Sequence, residues 1–169
     1  MTFNWKLPAQ VLAVPPLGAI NLHDALLPRN RGLNATGWSL RRGDPEVGIT
    51  AHYMTAELDD GPILAQRAVP IADADDIDTI LPRMLSVAPA VLGEALTRVA
   101  AGDPGVPQRE EDASYAGRFE EAWKYLDWSK PAREVHLQAR SWWGTRDAPR
   151  GALGEIDGRL TRAQDRAGR

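Results

Sequence analysis

The sequence predicts an α/β fold. Three observations carry the prediction. Residues 17–22 form a short apolar run that ends in His23. Residues 47–54 and 63–71 are β-branched, aromatic or alternating runs on either side of a tight turn. From Ile77 to Val99, apolar side chains recur at three- and four-residue spacing. The 169 residues amount to about one domain, or one and a half small ones.

Residues 17–22 read as a short buried strand. The stretch that follows His23 holds Pro28, Asn30, Gly32, Asn34 and Gly37, and predicts a loop running into a helix near residues 38–41. Asp44-Pro45 is a turn. Residues 47–54 are a second strand, and 63–71 a third, its hairpin partner across Leu58-Asp59-Asp60-Gly61-Pro62. The carboxylates of residues 73–78 suit the amino end of a helix dipole. The long helix they open contains Pro82 and Pro89, which predict a kink or a start near Pro82, since an interior Pro costs about 3 kcal/mol. Gly102 is its natural stop. By composition, residues 103–117 are a linker. Ser129 as N-cap and Pro131 just inside predict a second helix, with Val135, Gln138, Ala139 and Trp142 on its inner face. A small hairpin is expected around Asp157-Gly158, followed by a polar, Arg-rich end.

Composition narrows the function classes. Hydrophobic residues are 43% and charged residues 25%, ordinary values for a globular chain. No consecutive apolar run approaches the roughly 18 residues of a membrane span, and the first residues have no apolar core like that of a signal peptide. The expectation is a cytoplasmic protein without a membrane partner. The absence of cysteine excludes disulfides, thiolate metal sites and cysteine nucleophiles. The net charge of -3 argues against binding nucleic acid by bulk charge. Its distribution is uneven. Residues 1–128 carry 11 basic and 18 acidic side chains, and residues 129–169 carry 9 and 5. The plain reading is a solvated basic tail; the alternative is contact with a polyanion such as RNA.

Asn21 and His23 are separated by one residue, so on a strand they project from the same face, about 6–7 Å apart. They stand at the strand's carboxyl end, the edge where open α/β sheets bind ligands. Two N–H groups aimed at one point are what a developing oxyanion needs. Asp59 adds a carboxylate in the turn. Ordinary turn chemistry would explain it, and Asp60 is as good a turn residue.

The stretch from Asn21 to Gln66 resembles the core of the 10-formyltetrahydrofolate-dependent formyltransferases, the family of methionyl-tRNA, glycinamide ribonucleotide and sugar-nucleotide formyltransferases. The resemblance rests on Asn21 and His23, Leu26-Leu27-Pro28-Arg29, Arg31-Gly32, Gly48-Ile49-Thr50, and Leu58-Asp59 with Gly61. Later, Asp127-Trp128-Ser129-Lys130-Pro131-Ala132 is similar to the opening of the C-terminal domain of the methionyl-tRNA type. Two positions depart from the pattern: Asp24-Ala25 stands where a small residue and Ser are usual, and Ala35 where many members carry Pro.

The resemblance implies the carboxyl-terminal part of a Rossmann-like formyltransferase domain over residues 1–102, a linker over 103–117, and the start of a truncated OB-like domain over 118–169. It implies that an amine attacks the formyl carbon of 10-formyltetrahydrofolate without a metal. Asn21 and His23 would stabilise the oxyanion, and Asp59 would hold His23 and help take the amine proton. Phe3, Trp5, Leu7, Met54 and Leu58 would meet the folate. Arg29 and Arg31 would meet a phosphate on the acceptor or the folate glutamate, unless they only stabilise the turn. The expected acceptor is the amino group of methionyl-tRNA. The alternatives are an amino-sugar nucleotide, a hydroxyornithine, or an inactive fragment. Because only about 20 residues precede Asn21, the family's first strands are expected from a second chain or a longer reading frame. His52 reads as packing or a pocket wall, His136 as a surface residue, and Trp142-Trp143 as interdomain core.

Overall fold

A computed structural model describes residues 6–142, together with the backbone of two short strands near the carboxyl end. In chain order the elements are α1 (Ala9–Leu12), β1 (Ile20–His23), β2 (Arg31–Gly32), α2 (Ala35–Arg42), β3 (Glu46–Tyr53), β4 (Ile63–Pro70), α3 (Ile77–Ala100), β5 (Tyr115–Ala116), α4 (Ala132–Ser141), β6 (Arg150–Leu153) and β7 (Ile156–Arg159). The α/β class holds, and the element at each predicted place is of the predicted type.

β3 is the centre of an antiparallel sheet of order β1-β3-β4. Its residues Val47, Ile49 and Ala51 face α3, whose Ile80, Met84, Val91, Ala95 and Val99 recur at helical spacing and close the core with Leu40, Leu64 and Val69. The opposite face carries Gly48, Thr50 and His52. There the loop after β1 lies flat on the strand. The Thr50 hydroxyl donates to Ala25 O at 2.6 Å and accepts from Leu27 N at 3.2 Å, while Gln66 Nε2 donates to Leu27 O at 2.7 Å. Gly48 makes this approach possible: a Cβ there would stand 2.5 Å from the Leu26 side chain and 2.3 Å from Arg67 O. β3 is therefore buried on both faces, with Thr50 and His52 as its buried polar residues.

Several boundaries differ from the sequence-based expectation. β1 begins at Ile20 because a turn closed by Gly18 N–H on Pro15 O, with Gly18 at φ 83°, occupies the residues before it. α2 begins at Ala35, three residues before the predicted start. α3 runs from Ile77 through both prolines instead of starting at Pro82. Asp76 and Thr79 form a reciprocal capping box, and Pro82 and Pro89 lie on the exposed side, where water can satisfy the carbonyls they leave free. α3 is the one helix among the described residues long and apolar enough, by length and composition, to cross a membrane. α4 starts at Ala132 with Pro131 at the N-cap position. Ser129 instead bonds back to Asp127 through both its N–H and its hydroxyl. In the terminal pair, Asp157 faces Ala152 and Gly158 faces Gly151, so the Asp-Gly pair lies inside β7 and not in the turn. A local turn signal yields there to pairing over the whole register.

Residues 103–117 run pinned along the domain. Val106 bridges Ile63, and β5 pairs in parallel with β2. Beyond it, Phe119 stacks on Trp38, Trp123 and Trp142 with ring centroids 5.3, 5.7 and 4.9 Å away. α4 packs on α2, and its buried Arg140 donates to Leu40 O at 3.2 Å, close to the negative end of the α2 dipole. Trp142 is buried in this second core as expected; Trp143 lies outside the described residues. Among the described residues of 118–169, the helix α4 and the pair β6–β7 do not close a barrel.

Candidate active site

The register of β1 against β3 builds the site. Asn21 lies opposite His52, and His23 opposite Thr50, so Asn21, His23 and His52 share one face of the sheet. Asp59 reaches them from the turn between β3 and β4. It is buried and holds φ at 54°, a left-handed conformation that few non-glycine residues adopt. Its Oδ2 accepts the Gly32 N–H at 2.9 Å and stands 3.6 Å from His23 Nδ1. Its Oδ1 stands 3.4 Å from His52 Nε2 and 3.4 Å from Asn21 Nδ2. Asp60 points elsewhere, to the Thr55 hydroxyl. Geometry thus ranks the two aspartates that spacing could not.

Both imidazoles are fixed by backbone carbonyls. His23 Nε2 lies 2.8 Å from Asn30 O, and His52 Nδ1 lies 2.7 Å from Tyr53 O. A carbonyl only accepts, so each of these nitrogens carries a hydrogen, and each ring turns its other nitrogen toward Asp59. Burial would raise the Asp59 pKa. The His52 ring, the charge of His23 and the Gly32 N–H outweigh it and hold the carboxyl below the ordinary carboxylate value. The arrangement is a carboxylate held in its ionised form beside an amide N–H donor and two rings.

The predicted catalytic residues Asn21, His23 and Asp59 converge. Asn21 and Asp59 line a shallow crevice with Leu7, Met54, Leu58 and His52. Three of the five residues assigned to the folate are therefore at the same opening; Phe3 and Trp5 lie outside the described residues. His23 sits just beneath it, 4% exposed. Arg29 and Arg31 diverge. Arg29 is more than half exposed and pairs with Asp44 at 2.9 Å. Arg31 is buried and donates to Gln108, Glu110 and Tyr115. His136 is exposed, as expected, and faces Asp73 O. Among the described residues, no group of three or more His, Asp and Glu is arranged to hold a metal ion.

Sequence reasoning did not find His52's part. The sequence offers it only as packing or a pocket wall, and the β1–β3 register brings it to Asn21. Asn30 was also missed. It is a left-handed residue (φ 59°) whose carbonyl holds His23, while its side chain donates to Ser39 at 2.9 Å and accepts from Arg42. The readable signal was an Asn in a loop, a residue type that tolerates that conformation.

Comparison with known proteins gives the family and the fold. The family model described as formyl transferase matches residues 2–96. The methionyl-tRNA formyltransferase of Pelobacter propionicus is 37% identical over 142 residues, 83% of this chain and 44% of the relative. The chain spans about half the length of the curated relatives it matches. Among solved structures, PseJ of Anoxybacillus kamchatkensis, a formyltransferase in complex with a UDP-linked formamido sugar and tetrahydrofolate, is 29% identical with a TM-score of 0.58, over 66% of this chain and 59% of its own. HypX of Aquifex aeolicus, in complex with tetrahydrofolic acid, shares the fold at 21% identity and a TM-score of 0.67, over 78% of this chain and 23% of its own.

Proposed function

This chain belongs to the formyl transferase family, and on that premise we propose that it transfers a formyl group from 10-formyltetrahydrofolate to the amino group of methionyl-tRNA. The observation that carries the reading is the meeting of Asn21 and Asp59 at one crevice with His23 directly beneath Asp59, although Asp59 is 38 residues from Asn21 along the chain. The folates bound to PseJ and HypX support the donor. The identity to methionyl-tRNA formyltransferases supports the acceptor.

In this reading the acceptor nitrogen attacks the formyl carbon, and the carbon's bond to N10 of the folate breaks. The amine loses a proton, N10 gains one, and the products are a formamide and tetrahydrofolate. Asn21 Nδ2 stabilises the negative charge that develops on the formyl oxygen, and the His23 ring joins it by turning its Nε2–H from Asn30 O to that oxygen. Asp59 is ionised and takes the amine proton, through a water where direct contact is too long. Leu7, Met54 and Leu58 form the apolar wall against which the folate ring lies. Arg29, exposed at the loop, is the cation for an acceptor phosphate. PseJ supports a second reading, an amino-sugar nucleotide as acceptor.

The test is an assay of the full chain with 10-formyltetrahydrofolate against methionyl-tRNA and against amino-sugar nucleotides. Formylmethionyl-tRNA is the expected product. Formylated sugar nucleotide alone selects the second reading, and no product with either acceptor, from folded protein, overturns both. His23→Ala should lower turnover by about 10²-fold or more, the usual cost of losing an oxyanion partner, measured below a melting temperature that the loss of a buried, hydrogen-bonded ring lowers. Unchanged turnover would contradict the role of His23.

A further inference from the structure

Residues 103–117 do more than connect. The Gln108 side chain reaches from this strap into the turn that carries Asp59. Its Nε2 donates to Asp59 O and to Gly61 O, both at 2.8 Å. Its Oε1 accepts from Arg31 Nε at 3.1 Å. Arg31 immediately precedes Gly32, and the Gly32 N–H holds the Asp59 carboxylate at 2.9 Å. The contacts close a ring: Gln108 to the Asp59 carbonyl, the Asp59 carboxylate to Gly32 N–H, Arg31 back to Gln108. Glu110 Oε2 at 2.9 Å and the Tyr115 hydroxyl at 3.2 Å complete the shell of the Arg31 guanidinium. Arg31 N–H on Ser114 O at 2.8 Å and Leu33 N–H on Ala116 O at 2.9 Å tie the same backbone to the strap.

We propose that Gln108 is a positioning residue for Asp59: its one amide fixes both the strained backbone from which the carboxylate projects and the segment whose N–H receives it. The physical need is evident in the turn. Asp59 is a non-glycine residue at φ 54°, a conformation that persists only where its surroundings over-determine it. Gly61, two residues on, lies so close to the β3 backbone that a Cβ there would stand 1.9 Å from Tyr53 O, so the turn accepts no side chain at that position. Two carbonyls of such a tight turn, turned toward one amide, leave a single position for the peptide between them. Gln supplies the two donors and the acceptor that the ring requires; Glu supplies neither donor. The proposal rests on Asp59 acting in formyl transfer, and it extends the site to a segment whose composition reads as a linker.

Two measurements on the full chain test it, one of them independent of turnover. In ¹⁵N-labelled protein the Gly32 amide shift reports ionisation of the carboxylate it donates to. The groups facing Asp59 are His23 and Asn21 from β1, His52 from β3 and the Gly32 N–H from β2. In the parent protein the midpoint read at that amide should lie below the ordinary carboxylate value, the direction in which His52, His23 and the Gly32 N–H move Asp59 against its burial. In Gln108→Met and Gln108→Glu the midpoint should rise. An unchanged midpoint in both variants overturns the proposal, whatever the enzyme does. In the formyl-transfer assay, both variants should lose about 10²-fold in kcat, the scale of a misplaced catalytic group, with KM for the folate held within threefold. A rise in KM at constant kcat would make Gln108 a wall of the binding site and overturn the positioning role. Arg109→Ala, at an exposed neighbour paired with Glu111, is the control and should match the parent in both. If the parent forms no product with any acceptor, the functional reading falls, and the Gly32 titration still decides on Gln108.

Discussion

Asp59 concentrates the electrostatics of the site. The interactions from His52, His23 and Gly32 overcome the penalty of burial and depress its pKa. A depressed carboxylate contributes stability that is fully present above its unfolded value, about 3.9, and is lost as pH falls through the folded value. Urea unfolding of the parent and of Asp59→Asn should therefore show the parent's advantage at pH 6 shrinking toward pH 3. A gap that does not change with pH would mean that the carboxylate gains nothing from its neighbours. The same residue shows the reach of sequence reasoning. Asn21 and His23 were legible because their relation is local, two positions on one strand. Asp59 was legible as a turn carboxylate, but its advantage over Asp60 depends on φ 54° and on which groups the turn faces. His52 was legible as packing or a pocket wall, and it does line the crevice, but its pairing with Asp59 was not legible.

Elements carried more of their own information. The hairpin β3–β4 and the helix α3 follow from periodicity, since a face that must be buried repeats at 2.0 or 3.6 residues. The prolines of α3 predict a kink or a start near Pro82 because their cost is local and the compensation is not. The capping box at Asp76 and the stripe on the sheet outweigh two missing N–H groups. Asp76→Ala should lower stability by about 1 kcal/mol, read as a fall in the urea midpoint at constant slope. An unchanged midpoint would show that the stripe alone fixes the helix start. The strap at 103–117 had no such signal. Its regular pairing is a two-residue strand and one bridge, too short for any period to show.

At the scale of the molecule, two cores meet at α2. One lies between the sheet and α3. The other joins Trp38, Phe119, Trp123 and Trp142 and brings α4 onto α2. Phe119 touches all three tryptophans. Phe119→Ala should cost about 2 kcal/mol, less than the roughly 3–5 kcal/mol of a fully buried Phe because its ring is only half-buried. Tryptophan fluorescence and far-ultraviolet circular dichroism should then shift together. Separate transitions would show that the segment after residue 117 unfolds on its own. The basic excess of residues 129–169 falls mostly outside the described residues.

The chain alone was enough to specify an α/β class, one strand with Asn21 and His23 on a common face, a hairpin, a long buried-face helix, and the family to which their order corresponds. Each depends on residues near one another in sequence, where spacing converts directly into direction. The partners of Asp59 are another matter: His52 from a neighbouring strand and Gly32 from β2 at its carboxylate, and Gln108, 49 residues away, at its backbone carbonyl. Their meeting follows from register and from a strap folded back on the domain, and no period in the sequence encodes a contact between segments whose separation is set only when the core closes.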